Sequence, residues 1–418
     1  MAGERYIIEG GRRLQGTAEV SGSKNAAVAA MAASLLVPEE CHLENVPAIG
    51  DVSFMAEVLE SLGAEVERPS SSTLRLRAAR ITAFSPPTEQ VVNLRASFMV
   101  MGPLLARFGQ AACSPPGGDV IGQRPIDVHL AGFAAMGADI RRQGEKFLAE
   151  AKRLRGARIF MDYPSVLGTQ NLTMAATLAK GTTVIVNAAA EPEIASLAEM
   201  LNKMGARIQG AGSHTIEIEG VDALHGTSQR IIPDRIEAGT FAIAAAITGG
   251  DVRICGLEPQ RLYSLVAKLR EAGVKVDEGE DVLHVRGDGQ LTAVTIQAVP
   301  YPGLATDLQA PMAALLTQAQ GVSYVHERVF DNRLLYVSEL RKMGAEVVST
   351  GNTAIISGPT SLVGTSVRAL DIRAGAALVL AGLAAHGRTE IFDIYHLNRG
   401  YQCLDDKLRS LGANIQSV

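Results

Sequence analysis

Tryptophan is absent from this chain of 418 residues, and aromatic residues make up only 4% of it. The sequence also lacks a basic run, because 39 Lys and Arg stand against 44 Asp and Glu, for a net charge of −5. Nucleic-acid and membrane-surface partners need a concentrated basic patch, so neither class is expected. Any anionic ligand must be bound by a local group of cations.

Long apolar runs and paired cysteines are missing as well. The small or apolar runs, such as residues 26–37 and 374–385, are far shorter than the roughly 20 residues of a membrane span. Residues 1–10 carry charges, so no signal peptide is expected. The four cysteines show neither disulfide nor metal-ligand spacing, which predicts reduced thiols, no metal site and a cytoplasmic location.

A repeat is the most prominent feature that the sequence does contain. A Gly followed by Ala or Val recurs at intervals of 68 to 74 residues, each time between an amphipathic stretch and an extended one. Glycine in that place predicts a helix C-terminal cap that leads directly into a strand. The six glycines are Gly63, Gly137, Gly205, Gly273, Gly344 and Gly412.

A second series of small, apolar segments runs in phase with these glycines. The segments are residues 26–36, 96–106, 171–179, 236–247, 308–316 and 374–385. Because they are apolar almost all round, they predict buried helices that pack closely through Ala and Gly. Six units of about 70 residues, each with one buried and one amphipathic helix, favour two α/β domains of three units each.

Basic residues gather at the starts of these buried segments. Helix N-termini expose N–H groups and the positive end of the helix dipole, so they suit phosphate and carboxylate ligands. Solvated caps are the alternative for each residue taken alone. The residues are Lys24 with Asn25, Arg95, Arg235 and Arg373.

Two loops carry candidate acid–base groups. Residues 115–125 are rich in Pro and Gly and contain Asp119, which fits either a mobile lid or an ordinary solvated loop. Asp307 follows the loop 301–306 at the start of a buried segment. The local sequence favours an N-cap for Asp307 over a general base.

Ordered motifs along the whole chain resemble the UDP-N-acetylglucosamine 1-carboxyvinyltransferase family of the EPSP synthase-like superfamily. They include residues 21–27 (Ser-Gly-Ser-Lys-Asn-Ala-Ala), 94–97 (Leu-Arg-Ala-Ser), 122–129 (Gly-Gln-Arg-Pro-Ile-Asp-Val-His), 233–240 (Pro-Asp-Arg-Ile-Glu-Ala-Gly-Thr), 306–309 (Thr-Asp-Leu-Gln), 329–333 (Val-Phe-Asp-Asn-Arg), 371–374 (Asp-Ile-Arg-Ala) and 395–401 (Tyr-His-Leu-Asn-Arg-Gly-Tyr).

This resemblance implies an enolpyruvyl transferase fold of two inside-out α/β domains, each of three βαβαββ repeats with buried helices. Residues 22–230 would form one domain with the mobile loop, and residues 1–21 and 231–418 the other, with the active site between them. The implied reaction transfers the enolpyruvyl group of phosphoenolpyruvate to the 3′-hydroxyl of UDP-N-acetylglucosamine through a tetrahedral ketal. It releases phosphate, opens peptidoglycan precursor synthesis, and needs no metal or organic cofactor.

The resemblance also implies roles for individual residues. Lys24, Arg124 and Arg399 would bind phosphoenolpyruvate, with support from Arg373. Lys24 and Arg399 would also take part in catalysis, Lys24 by stabilising charge in the ketal. Asp307 would be the base that faces the 3′-hydroxyl, which reverses the local preference for a cap. The remaining substrate contacts would be Asn25, Arg95, Pro125, Ile126, Asp127, Val128, Ser165, Val166 and Val329.

Three departures from the family pattern stand out. Most members have cysteine where this chain has Asp119, and Cys113 lies too early to replace it. A carboxylic acid can also donate a proton, so Asp119 is expected to be the general acid, and resistance to fosfomycin, which alkylates the thiol, is expected too. Leu167 replaces a usual glycine beside the nucleotide contacts, and residues 304–305 replace a usual Phe-Pro.

Two other functions stay open at this stage. One keeps the chemistry and changes the acceptor, to shikimate 3-phosphate or a nucleoside. The other is a non-catalytic paralogue that binds a sugar nucleotide or a protein partner. The uridine-site motifs argue against the first, and the presence of Lys24, Arg124, Asp307 and Arg399 together argues against the second.

Overall fold

A computed structural model describes residues 4–119, 121–122, 125–287 and 290–418. The chain forms two compact units. The first unit contains residues 22–118 and 125–232, and the second contains residues 4–21, 119, 121–122 and the described part of 233–418. Asp119, Ile121 and Gly122 therefore cluster with the second unit, although they lie inside the range 22–230 expected for one domain. Each unit has a hydrophobic core of its own.

Apart from two short helices, Thr88–Val91 and Tyr395–Gly400, the helices of the described chain alternate between buried and amphipathic ones. They are α1 (Lys24–Ala33), α2 (Gly50–Ser61), α3 (Thr88–Val91), α4 (Met101–Phe108), α5 (Asp127–Ala135), α6 (Val166–Ala176), α7 (Pro192–Lys203), α8 (Arg235–Ile247), α9 (Tyr263–Glu271), α10 (Thr306–Leu316), α11 (Tyr336–Lys342), α12 (Ile372–Ala384), α13 (Tyr395–Gly400) and α14 (Leu404–Ser410). Short 3₁₀ turns cover Ser34–Leu36, Arg95–Val100 and Pro259–Leu262.

The strands are short. They are β1 (Arg5–Glu9), β2 (Gln15–Glu19), β3 (Glu40–Glu44), β4 (Glu65–Ser70), β5 (Thr73–Arg77), β6 (Gln110–Cys113), β7 (Asp139–Gln143), β8 (Lys146–Glu150), β9 (Arg158–Phe160), β10 (Thr182–Val186), β11 (Arg207–Gln209), β12 (Thr215–Glu219), β13 (Ser228–Arg230), β14 (Asp251–Cys255), β15 (Lys275–Glu278), β16 (Val282–Arg286), β17 (Leu291–Thr292), β18 (Thr295–Ala298), β19 (Ala319–Glu327), β20 (Glu346–Thr350), β21 (Thr353–Gly358), β22 (Ser366–Arg368), β23 (Arg388–Phe392) and β24 (Asn414–Ser417).

Within the described residues, each unit contains three small sheets. In the first unit their orders are β13-β3-β5-β4, β6-β8-β7 and β11-β12-β10-β9. In the second unit they are β15-β16-β14-β2, β17-β19-β21-β20 with β18 beside β19, and β22-β23-β1-β24. Strand β2 belongs to the second unit and pairs in parallel with β14, while β13 belongs to the first and pairs in parallel with β3. The N-terminal strand β1 completes the last sheet between β23 and β24.

The helices with small side chains lie inside each unit, as the sequence predicts. They are α1, α4 and α6 in the first unit and α8, α10 and α12 in the second, and in α8 every residue after Arg235 is buried. Close packing needs residues without bulk. A Cβ on Gly102 in α4 would lie 2.3 Å from the carbonyl oxygen of Asn171 in α6, so only glycine fits there. The predicted inside-out α/β repeat is confirmed.

The six repeat glycines end the amphipathic helices α2, α5, α7, α9, α11 and α14. Their φ angles lie between 90° and 101°, in the left-handed region that favours glycine. A strand begins two residues after each glycine, which confirms the predicted step from helix to strand.

Two of the predicted buried helices have other bounds. The segment predicted at 96–106 begins as the 3₁₀ turn Arg95–Val100 and continues as α4, whose first turn holds Pro103. Proline is tolerated there because the first N–H groups of a helix lack partners within the helix. The segment predicted at 171–179 begins at Val166, because Ser165 caps α6 by accepting a hydrogen bond from the Gly168 N–H.

Two findings concern membranes and thiols. No helix in the described ranges has the length and hydropathy needed to cross a bilayer. The four cysteines are free thiols, and Cys41 and Cys113 are buried.

Candidate active site

Asp307 lies in the first turn of the buried helix α10, between two arginines of the second unit. Its Oδ1 accepts a hydrogen bond of 2.6 Å from Arg333 Nη2, and its Oδ2 accepts hydrogen bonds of 3.1 Å and 2.9 Å from Arg373 Nε and Nη2. The side chain of Asp307 is 23% exposed, whereas those of the arginines are 5% and 4% exposed. A ligand can therefore reach the carboxylate while its partners stay buried.

The N-cap alternative for Asp307 is wrong. Helix α10 begins at Thr306, and Ala305 occupies the cap position without a side-chain hydrogen bond. The Asp307 carboxylate is instead bonded to two guanidinium groups.

Arg373 is held from both sides at the start of α12. The N-cap carboxylate of Asp371 accepts hydrogen bonds from the N–H groups of Arg373 and Ala374, at 2.7 Å and 2.9 Å. The Tyr401 ring lies 5.2 Å from the guanidinium carbon. Burial lowers the pKa of Arg373, but the combined effect of Asp307, Tyr401 and Asp234 outweighs burial, so this pKa lies above its ordinary value. Arg373 is therefore a fixed cation.

Arg333 is a partner of Asp307 that the sequence-based assignment omits, although it ends the 329–333 motif. Its Nη1 donates to Thr306 Oγ1 at 2.8 Å, and its carbonyl accepts from Gln309 Nε2 at 3.1 Å. Val329 is 37% exposed, and its N–H donates to Glu327. The motif thus supplies one buried cation and one exposed apolar side chain.

Asp119 faces helix α13. Arg399 Nη1 donates to Asp119 Oδ1 at 2.8 Å, and His396 Nδ1 lies 4.0 Å from the same oxygen. Burial lowers the pKa of His396. The loop also contacts the 329–333 motif, because the Asn332 N–H donates to the Ile121 carbonyl at 3.3 Å. The candidate acid is therefore paired with a cation that the sequence assigned to phosphoenolpyruvate.

Lys24 and Asn25 open helix α1 in the first unit. Ser23 caps this helix by accepting from the Ala26 N–H at 3.3 Å. Lys24 Nζ lies 3.0 Å from Asp51 Oδ2, and Asn25 is half-buried. The lysine therefore lies where a helix N-terminus favours an anion.

Most of the described residues assigned to the nucleotide lie in the first unit, whereas Val329 lies in the second. Arg95 donates to the carbonyls of Pro116 and Pro125, each at 3.3 Å. The Tyr163 hydroxyl donates to Asp127 Oδ1 at 2.9 Å and lies 3.3 Å from the Pro125 carbonyl oxygen. Burial, followed by the contact with Asp127, raises the pKa of Tyr163 above its ordinary value. Tyr163 is thus a further member of this cluster.

The other assigned nucleotide contacts flank this cluster. Ser165 and Val166 begin α6, and Val128 packs against this end of the helix, since a Cβ on Gly168 would lie 2.9 Å from Val128 Cγ2. Ile126 precedes α5. Arg124 lies outside the described residues, so its assignment stays a sequence-based prediction.

His129 is a buried base beneath this cluster. It is 2% exposed, its Nδ1 lies 3.0 Å from Asn171 Nδ2, and burial lowers its pKa to about 3, with a smaller contribution from Arg95. Because the folded state disfavours protonated His129, its contribution to stability is present above pH 6.5 and is lost as the pH falls toward 3.

We expect this histidine to make acid unfolding steeper. Between pH 6 and 4 the free energy of unfolding should fall about 1 kcal/mol per pH unit more steeply in the wild type than in His129→Gln. Urea titrations followed by circular dichroism measure this slope. The matched exchange His225→Gln, at an exposed histidine of the same unit, should leave it unchanged, and equal slopes for the wild type and His129→Gln would refute the assignment.

The charged groups described above fall into three sets, of which the first lies at the starts of the buried helices α10 and α12. The first contains Asp307, Arg333 and Arg373, the second contains Asp119, Arg399 and His396, and the third joins Arg95 to Asp127 and Tyr163. No group of three or more His, Cys, Asp or Glu in the described chain could hold a metal ion. This chemistry suits anionic, hydroxyl-bearing ligands.

Solved structures place the fold among the enolpyruvyl transferases. The enolpyruvyl transferase NikO from Streptomyces tendae is 26% identical, with a TM-score of 0.89 over 100% of this chain and 99% of that one. An EPSP synthase from Acinetobacter baumannii is 17% identical, with a TM-score of 0.78 over 100% of both chains. The predicted fold class is confirmed.

Residues 8–408 match the family described as EPSP synthase (3-phosphoshikimate 1-carboxyvinyltransferase), and the chain belongs to this family. UDP-N-acetylglucosamine 1-carboxyvinyltransferase 1 of Caldanaerobacter subterraneus subsp. tengcongensis is 50% identical over 98% of this chain and 99% of its own. The UDP-N-acetylglucosamine 1-carboxyvinyltransferase of Trichlorobacter lovleyi is 49% identical over 99% of both. The resemblance found in the motifs and the transferase class are confirmed.

Proposed function

We propose that this enzyme transfers the enolpyruvyl group of phosphoenolpyruvate to the 3′-hydroxyl of UDP-N-acetylglucosamine, with release of phosphate. One observation carries the proposal: relatives named for this activity are about 50% identical over nearly the whole chain. The reaction opens peptidoglycan precursor synthesis, and hence serves cell-wall growth, cell shape and division. Both proposed substrates are cytoplasmic metabolites, which supports a cytoplasmic location.

The reaction runs in two steps. The 3′-oxygen bonds to C2 of the enol while C3 gains a proton, which gives a tetrahedral ketal. The bond between C2 and the phosphate oxygen then breaks, C3 loses a proton, and the enol ether and phosphate leave. The residues must therefore bind three anionic groups, remove a proton from a hydroxyl and supply one to carbon.

Asp307 is proposed as the base for the 3′-hydroxyl. Its carboxylate is reachable, and its two guanidinium partners hold it in one orientation. Both oxygens already accept hydrogen bonds, so the hydroxyl must approach a remaining lone pair or displace one guanidinium donor. The developing charge of the ketal would be stabilised by the nearby cations.

Asp119 is proposed as the acid. As observed, its carboxylate pairs with Arg399, a cation proposed for phosphoenolpyruvate. The incoming phosphate or carboxylate competes for this guanidinium, because bidentate binding of such groups is what arginine favours. Once Arg399 turns to the substrate, Asp119 is released from this ion pair and can act as the proton donor.

The remaining assignments divide between the substrates. Lys24, Arg124, Arg373 and Arg399 would hold phosphoenolpyruvate and its ketal. The residues proposed for the sugar nucleotide are Asn25, Arg95, Pro125, Ile126, Asp127, Val128, Ser165, Val166 and Val329. In this proposal both expected domains, 22–230 and 1–21 with 231–418, contribute residues.

A choice of acceptors tests the function. With phosphoenolpyruvate present, we expect phosphate release with UDP-N-acetylglucosamine to exceed that with shikimate 3-phosphate by at least about 100-fold in kcat/KM, because polar groups built for one acceptor stay unpaired with another. A continuous phosphate assay gives both values. The reverse order would assign the chain to the acceptor in the family's description, and no release with any acceptor would indicate a non-catalytic paralogue.

A further inference from the structure

Glu327 is a buried carboxylate that the proposed reaction does not use. It ends strand β19 and is 1% exposed. Its Oε2 accepts from the Thr306 hydroxyl at 2.6 Å, and its Oε1 accepts from the N–H groups of Val329 and Phe330, at 2.7 Å and 3.1 Å. Burial raises the pKa of Glu327, against the opposing effect of these hydrogen bonds. Burying a carboxyl group costs free energy. A buried carboxyl group that accepts three hydrogen bonds is therefore expected to have a specific role.

Thr306 connects this carboxylate to Asp307. A threonine hydroxyl has one proton and two lone pairs. Its proton is given to Glu327, so its lone pairs face the guanidinium of Arg333, whose Nη1 lies 2.8 Å away. Arg333 in turn donates to Asp307 at 2.6 Å. A continuous chain of hydrogen bonds therefore connects Glu327 to Asp307 through Thr306 and Arg333, with Arg333 donating to both of its neighbours.

The chain matters because arginine is flexible. A free arginine side chain has roughly 2 kcal/mol of rotamer entropy. Here the guanidinium is fixed on three sides, by the Thr306 hydroxyl, by the Asp307 carboxylate and by the Phe330 ring, whose centre is 5.3 Å away. If Thr306 lost its orientation, Arg333 could rotate and the Asp307 carboxylate would shift. A displacement of about 1 Å at a reacting group can cost about 100-fold in rate.

We propose that Glu327 is a positioning residue, which orients Thr306 and Arg333 so that the Asp307 carboxylate is held for proton abstraction. Through its other oxygen it also fixes the turn at Val329 and Phe330, beside the exposed Val329 side chain. This inference rests on the proposed function. It adds to the site a residue that does not itself contact a substrate.

Thr306→Val tests the chain with an isosteric side chain. Without the hydroxyl, Glu327 loses a donor and Arg333 loses an acceptor, so we expect kcat for phosphate release to fall by about 10- to 100-fold. KM for UDP-N-acetylglucosamine should change by less than about threefold, because no proposed substrate contact is removed. Thr306→Ser keeps the hydroxyl and should restore kcat to within about threefold of the wild type.

Glu327→Gln tests the origin of the chain. The isosteric amide turns an acceptor into a donor toward Thr306, so kcat should fall as in Thr306→Val. In the double variant, kcat should lie within about twofold of kcat for the slower single variant, because both changes break the same chain of hydrogen bonds. If Glu327→Gln fails to fold by circular dichroism, the pair Thr306→Val and Thr306→Ser still decides the proposal.

A matched control and the opposite results complete the test. Thr353→Val removes a hydroxyl bonded to His326 Nδ1 at 2.8 Å on the neighbouring strand β21, and it should leave kcat unchanged. Wild-type kcat in Thr306→Val, or equal losses in the valine and serine variants, would overturn the positioning role while the transferase activity stands. A wild-type enzyme without turnover would instead overturn the proposed function.

Discussion

Asp307→Asn is expected to lower kcat for phosphate release by about 100- to 10,000-fold, the range that a general base contributes. Asparagine has the same shape and can still bond a sugar hydroxyl, so KM for UDP-N-acetylglucosamine should change far less than kcat. Stopped-flow or steady-state phosphate assays separate the two constants. A kcat within about threefold of the wild type would show that another group removes the proton.

The exchange also removes a charge that faces two buried guanidinium groups. Removing one partner of a fully buried ion pair costs about 3–5 kcal/mol, and the cost here should be smaller, because the Asp307 side chain is 23% exposed. Asp307→Glu keeps the charge and moves it by one methylene, so it should fold and still lose about 100-fold in kcat. Asp251→Asn, at an exposed carboxylate bonded to His284 in the same unit, is the matched control and should keep wild-type activity.

Fosfomycin should leave the wild-type enzyme active, and Asp119→Cys should become sensitive. The family's usual thiol is replaced by a carboxylate that pairs with Arg399, and thiolates are the nucleophiles that such alkylating agents trap. Preincubation followed by a phosphate assay should show time-dependent inactivation of Asp119→Cys, with a rate constant roughly 100-fold or more above that of the wild type.

The other thiols supply the controls for this experiment. Cys41 and Cys113 are buried, and burial raises their pKa values to about 11 and about 12, so neither is reactive. Cys403 is exposed, so Cys403→Ser is introduced in both backgrounds to exclude alkylation there. Rapid inactivation of the Cys403→Ser enzyme by low-micromolar fosfomycin, with an adduct located by mass spectrometry, would contradict the expected resistance.

The repeat could be read from the sequence because its signals are local. Gly63 and its five counterparts adopt backbone angles that other residues avoid, so each marks the end of a helix wherever it occurs. Apolar segments without a polar face, such as α8, have nowhere to lie except inside. The sequence does not predict that the second buried segment starts as a 3₁₀ turn, since no local signal distinguishes such a turn from an α-helix.

The partners of the site residues could not be read in the same way. The two guanidinium groups on Asp307 come from positions 26 and 66 residues away, and Arg399 reaches Asp119 across 280 residues. Arg333 belongs to one of the recognised motifs, but its distance from Asp307 along the chain does not predict that the two side chains meet. Such contacts depend on which helix ends meet, and this depends on sheet pairing far along the chain.

Residue chemistry along the chain therefore determined the sixfold α/β repeat, the buried helices and the kinds of charged side chain at their ends. It did so because helix caps, apolar periodicity and glycine angles act over a few residues. Tertiary structure decided that Asp307 is a carboxylate between two buried arginines rather than a helix cap, and that Glu327 and Thr306 stand behind it. Those roles arise only when distant segments meet, because a buried charge takes its properties from the partners packed around it.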